Sequence, residues 1–124
     1  MNIGDTIYSL MQGVSVTGFD PTKCFPNVVA QGESFPAVVY EIDSKSPERS
    51  KSGNSKIDTI AFSLYIFSNN YDLCNDISEA VRGVFDGYRQ DEVDKIRYID
   101  GHTAFETTSK VHVFIDTYEI RLKR

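Results

Sequence analysis

Two histidines, two cysteines and a short run of carboxylates are the side chains of this chain with most chemistry to offer. His102 follows a turn-type glycine, which predicts a solvent-exposed ring, and His112 sits in a strand-like run on the face shared with Phe114. Neither falls in the one-turn spacing that lets two imidazoles on a helix face hold a metal. Asp86, Asp91, Glu92 and Asp94 cluster where a helix-like run ends. Such acids suit a divalent cation, but the alternating oxygens and fixed glycine of a calcium loop are missing. The cluster reads better as a solvated acidic edge. Asp72 and Asp76 suit the positive end of a helix dipole. Cys74 falls near a predicted helix start, where a thiolate can be stabilised. Cys24 and Cys74 stand far apart without metal-type spacing, and the plainer reading is two inert, reduced thiols in a cytosolic protein. No Gly-rich phosphate loop, G-x-S-x-G or C-x-x-C is present. Gly13–Gly18 is no nucleotide fingerprint, because no strand precedes it. The residues therefore predict no catalytic, cofactor-binding or metal-ligating site. The competing enzymatic or ligand-binding reading would rest on Asp91, Glu92, Asp94 and His102.

Composition sets the frame for these residues. The chain has 124 residues, of which 40% are hydrophobic and 25% charged, so it is an ordinary folding composition for one domain, residues 1–124. Its formal charge of −5 disfavours coating DNA or an anionic membrane, since phosphate binding needs surplus Lys and Arg. No apolar run approaches the roughly 20 residues of a membrane helix. Met1–Asp5 lacks the basic and apolar regions of a secretory signal.

The elements that would position these residues can be read from periodicity. Asn2 can cap a short helix whose stripe is Ile3, Ile7, Leu10 and Met11, with Gly13 as its stop. Between Val14 and Pro36 no period persists. Three residue–proline pairs punctuate it, and Val28–Val29 is a candidate short extended piece. Ala37–Asp43 is a strand by composition. The segment from Ser44 to Lys56 has no large apolar residue and carries four basic residues against one acid. It reads as a mobile polar loop, because burial cannot repay its ordering entropy. Ile57–Ser68 is the clearest strand: Ile60, Phe62, Leu64 and Ile66 point one way, and Thr59, Ala61, Ser63, Tyr65 and Phe67 the other. Asn70 caps a second helix to Phe85, with Leu73, Ile77, Ala80, Val81, Val84 and Phe85 as its stripe and Gly87 at its exit. Val93–Ile99 is a third strand, Asp100-Gly101 a hairpin-type turn and Thr107–Ser109 a second turn. In the last strand, Val111–Leu122, apolar residues change parity near Asp116-Thr117, which predicts a bulge or a change of exposed face. The expected fold class is α+β: a single, mostly antiparallel four-stranded sheet with two main helices on one face, in the order α-β-β-α-β-β.

This order resembles a known family. Phe35-Pro36-Ala37-Val38-Val39-Tyr40-Glu41 resembles the first sheet strand of small phage tail-completion proteins. These are the head-to-tail joining, or tail-terminator, proteins of long non-contractile-tailed phages and prophages. Ile60–Ser68 sits where that family carries its next strand. Tyr71–Gly87 resembles its helix, ending in Asp86-Gly87, and Val111–Tyr118 its closing strand. The resemblance spans roughly Ile3 to Ile120.

The resemblance implies a small α/β subunit with no catalytic residues. It implies a ring, typically a hexamer, that caps the tail tube and joins it to the head connector. It also implies assembly in the cytoplasm of the bacterial host and residence in the virion tail. The residues are compatible with this. A ring subunit needs two different adhesive surfaces. Thr59, Tyr65 and Phe67, with Tyr118, are interface candidates. Lys45, Arg49, Lys51 and Lys56 form a candidate loop for docking an acidic partner. Outside Ser44–Lys56, nine basic residues face seventeen acids, which suits a lumen that DNA slides through unbound. Another head–tail connector or neck adaptor is the second reading within this class.

Overall fold

Strict alternation along Ile57–Ser68 makes it the central strand, and everything else is placed against it. The computed structural model describes residues 3–28, 34–47, 57–90, 92–108 and 110–123. The elements run α1 (Ile3–Met11), β1 (Cys24–Pro26), β2 (Ala37–Pro47), β3 (Ile57–Ser68), α2 (Tyr71–Phe85), β4 (Val93–Glu106) and β5 (Val111–Lys123). They form one sheet in the order β1-β2-β3-β5-β4.

This corrects the expected four-stranded, mostly antiparallel sheet. The sheet has five strands and is mixed, because β1 pairs parallel with β2, Cys24 beside Val38 and Pro26 beside Tyr40. Three residues are too few to show a period, and Phe25-Pro26 marks extended backbone without naming a partner. The extended piece lies before the Val28–Val29 position expected for it: Val28 is 70% exposed beyond β1, and Val29 falls outside the described residues. Asn2, the expected cap of α1, also falls outside them.

Two strands outrun their apolar patterns. β2 continues through Ser44–Pro47, which reads in sequence as the start of a loop, and these four pair with Ala61, Ile60, Thr59 and Asp58. A bulge at Asp43 lets it stay in register. The β3 backbone offers the ladder whatever side chains β2 carries. Likewise β4 runs straight through Asp100-Gly101, with a bulge at Ile99, and turns only near Thr107–Thr108. No bulge interrupts β5: its register against β3 is unbroken from His112 to Lys123. Its apolar residues change parity because both faces of the sheet carry apolar side chains at its His112 end.

One face of the sheet meets both helices. Ile60, Phe62, Leu64 and Ile66 of β3 lie in one core with Ile7 and Met11 of α1 and Cys74, Ile77, Val81 and Phe85 of α2. The rings of Phe62, Phe85 and Tyr118 fill its centre, with centroid separations of 5.6, 5.6 and 6.2 Å. Such pairs add about 0.5–1.5 kcal/mol beyond the area they bury. Asn70 caps α2, its side-chain oxygen accepting from the Leu73 N–H at 3.1 Å. Gly87, at φ 85°, leaves the helix in the left-handed conformation that glycine tolerates.

Candidate functional site

The chemically able side chains do not converge. Asp86 is the C-cap of α2; its carboxylate accepts from the Tyr98 N–H at 3.0 Å and lies 4.0 Å from Arg82. Asp94 pairs with Arg121 at 3.3 Å. Glu92 is exposed, and Asp91 lies outside the described residues. Among the described residues no group of three His, Cys, Asp or Glu side chains is placed to hold a metal. His102 is exposed on the face of β4 away from the helices, paired with Ile115. His112 lies at the far end of β5 between the rings of Phe105 and Tyr71, 4.7 and 5.6 Å away. Both thiols are buried. Burial pushes Cys24 up to about 12 and Cys74 up to about 11, so neither is a ready nucleophile. The Cys74 Sγ instead points at the Ile66 carbonyl, 3.3 Å away.

The docking and interface candidates separate in the fold. Lys45 is exposed on β2, paired with Ile60, while Arg49, Lys51 and Lys56 lie outside the described residues. Thr59, Tyr65 and Phe67 share the sheet face turned away from the helices and are half-buried. Phe35 stacks on Phe67 with centroids 6.0 Å apart. Tyr65 pairs with Val39 on one side and Ile115 on the other. Burial, and then the charges of Glu41 and Asp43, hold the Tyr65 hydroxyl above its ordinary value. Tyr118 does not belong with these three. It is 0% exposed, on the helix side, and so is removed from the interface set. Its parity along β5, shared with Ile120 and Leu122, is that of the core face.

The outer face therefore divides by chemistry along the strands. One end is apolar, with Phe67, Tyr65, Val113 and Ile115. The other is a charged hollow lined by Lys95, Arg97, Glu119 and Arg121. There Arg97 and Glu119 pair across strands at 3.2 Å. Between them Ser63 is buried, donating to Asp43 at 2.6 Å and lying 3.2 Å from the Thr117 hydroxyl.

A buried carboxylate escapes the sequence reading. Asp116 is 4% exposed beneath α2. Ser78 donates to it at 2.6 Å, and the Tyr98 hydroxyl bonds it as well. Burial raises its pKa, opposed by these hydrogen bonds and by Arg82, whose guanidinium sits 4.1 Å over the Tyr98 ring. Beside it the Tyr118 hydroxyl is buried with no hydrogen-bond partner among the described residues. The available signal was Asp116 itself: an acid in phase with Phe114, Tyr118, Ile120 and Leu122. The carboxylate ties α2, β4 and β5 together, which is structural work.

No helix among the described residues is long and apolar enough to cross a membrane. No protein-family model matches the sequence, and no curated protein does. Comparison of folds does find a likeness. A chain solved within the virion of a native gene transfer agent particle superposes with a TM-score of 0.72 at 8% identity, over 98% of this chain and 95% of that one. At that identity the two share a fold: the whole of this small α+β unit has a counterpart in a subunit of a virion.

Proposed function

We propose that this chain is a non-enzymatic structural subunit of a phage or phage-like particle, acting in tail completion. In this reading it forms a ring, typically of six copies, on the head-facing end of the tail tube. The ring stops tube growth and presents a surface to the head connector. The observation that carries the reading is the end-to-end likeness of fold to a virion chain. It is joined by the dispersal of His, Cys and acidic side chains and by the half-apolar outer sheet face. A ring uses two unlike surfaces per subunit. Thr59, Tyr65 and Phe67 on the outer face, and the basic stretch that begins at Lys45, are the surfaces assigned to neighbours and to an acidic partner. The acidic balance of the remaining chain lets DNA pass the lumen without specific binding. Assembly takes place in the cytoplasm of the bacterial host, and the subunit stays in the virion tail.

Deleting the gene from a particle-producing host tests this. The expected result is filled heads without attached tails, together with tail tubes of uncontrolled length in the electron microscope. Joined particles with tails of normal length would contradict it.

A further inference from the structure

Each outer strand of the sheet is covered along only half its length. On one side β1 covers β2 as far as Tyr40, where the Asn27 N–H donates to the Tyr40 carbonyl at 3.0 Å. No described residue pairs with that edge from Glu41 to Pro47. On the other side the chain leaving α2 covers the start of β4. Gly87 donates to the Ile96 carbonyl at 2.8 Å, Ile96 donates to the Tyr88 carbonyl at 3.0 Å, and Asp86 accepts from Tyr98. That cover ends at Tyr98, and no described residue pairs with the outer edge from Ile99 to Glu106. Unpaired ladder groups on a sheet edge are a template for another strand.

We infer that the free half of β4 in one copy pairs with the free half of β2 in the next, and that this contact repeats around the ring. The inference rests on the ring reading and assigns its contact. Three observations name a second copy as the occupant. Direction is the first. Neighbouring strands alternate from β2 through β3 and β5 to β4, so β4 of one copy meets β2 of a like-oriented copy antiparallel. Position is the second. The β2 half lies level with the start of β3, and the β4 half level with its end. Joining them displaces each copy along the strands by part of a strand length. A sheet that closes on itself needs such a stagger, and the covered halves then fall above and below the joint without clashing.

Apolar surface is the third observation. Ile42 is 39% exposed on the β2 half, and Ile99 and Phe105 are 44% and 50% exposed on the β4 half. Ile42 and Phe105 both lie on the helix side of the sheet by their pairing with Phe62 and His112. The Phe105 ring is backed by His112, which Tyr71 meets edge-on.

A charge placed in an apolar contact is costly unless it is paired, so Ile42→Lys and Phe105→Lys test the contact. The readouts are native mass and sedimentation, with thermal melts as the folding control. Wild type is expected to form a closed oligomer, and each variant alone a folded monomer. Mixing the two variants is expected to give a one-to-one dimer and nothing larger, since each retains the edge the other has lost. An oligomer of wild-type size from either variant alone overturns the inference while leaving the ring reading standing. An Ile42→Lys chain that still self-associates while Phe105→Lys does not would show a β4-to-β4 contact and overturn it as well. A wild type that stays monomeric up to about 1 mM also overturns it; the gene-deletion phenotype then judges the ring reading separately. If either variant fails to fold, Ser44→Lys and Ala104→Lys, both at exposed positions, replace them.

Discussion

At the scale of single residues, the costly feature is a carboxylate held under a helix. Asp116 binds its proton more tightly in the folded chain than in the unfolded one, where its ordinary value is 3.8. The sign follows from linkage. Its contribution to stability is fully present below the unfolded pKa and is lost as pH rises through the raised folded value. Asp116→Asn keeps the acceptor for Ser78 and removes the ionisable group. The variant is expected to gain on wild type as pH rises from about 4 to about 7. Thermal melts across that range check it, and parallel melting curves would refute it. The sequence showed the acid within an apolar phase. It could not show that Ser78 and Tyr98, far apart in the chain, meet over it. The same is true of Tyr118: the change of apolar parity near Asp116-Thr117 does not say which face of β5 meets the helices.

At the scale of elements, β3 and α2 were legible because each carries its whole pattern: strict alternation in one, a full stripe, cap and exit glycine in the other. The shortfalls have a common physical cause. A strand segment with exposed side chains is held by its backbone ladder, which leaves no trace in hydropathy. That hid the last four residues of β2, the second half of β4 and all of β1. Asp100-Gly101 misled for a different reason. The glycine is there for a close approach: a methyl group on Gly101 would overlap the Tyr98 hydroxyl and the Asp116 carboxylate. Gly101→Ala is therefore expected to destabilise the fold by about 1–3 kcal/mol, as overpacking does. Urea unfolding measures this. A change within a few tenths would mean that Gly101 marks a turn preference only.

At the scale of the whole molecule, function was less legible than fold. Nothing in the spacing of His, Cys or acids pointed to chemistry, and the structure disperses these groups among caps, ion pairs and core. In the proposed reading the determinants of assembly lie on faces and edges, which exist only after folding: Thr59, Tyr65 and Phe67 on one face, and at the two edges the halves of β2 and β4 with which no described residue pairs. The order of elements carried the family resemblance, and the fold shared with a virion chain supports only its coarser part, a phage-like structural unit. The most direct test of the account locates the subunit in the particle. Particles from the producing cell, carrying a tagged copy of this chain, would be imaged by electron microscopy. The account predicts label in a single ring where the tail tube meets the head, and nowhere along the tube. Label distributed along the tube, confined to the head shell, or absent from finished particles would contradict it.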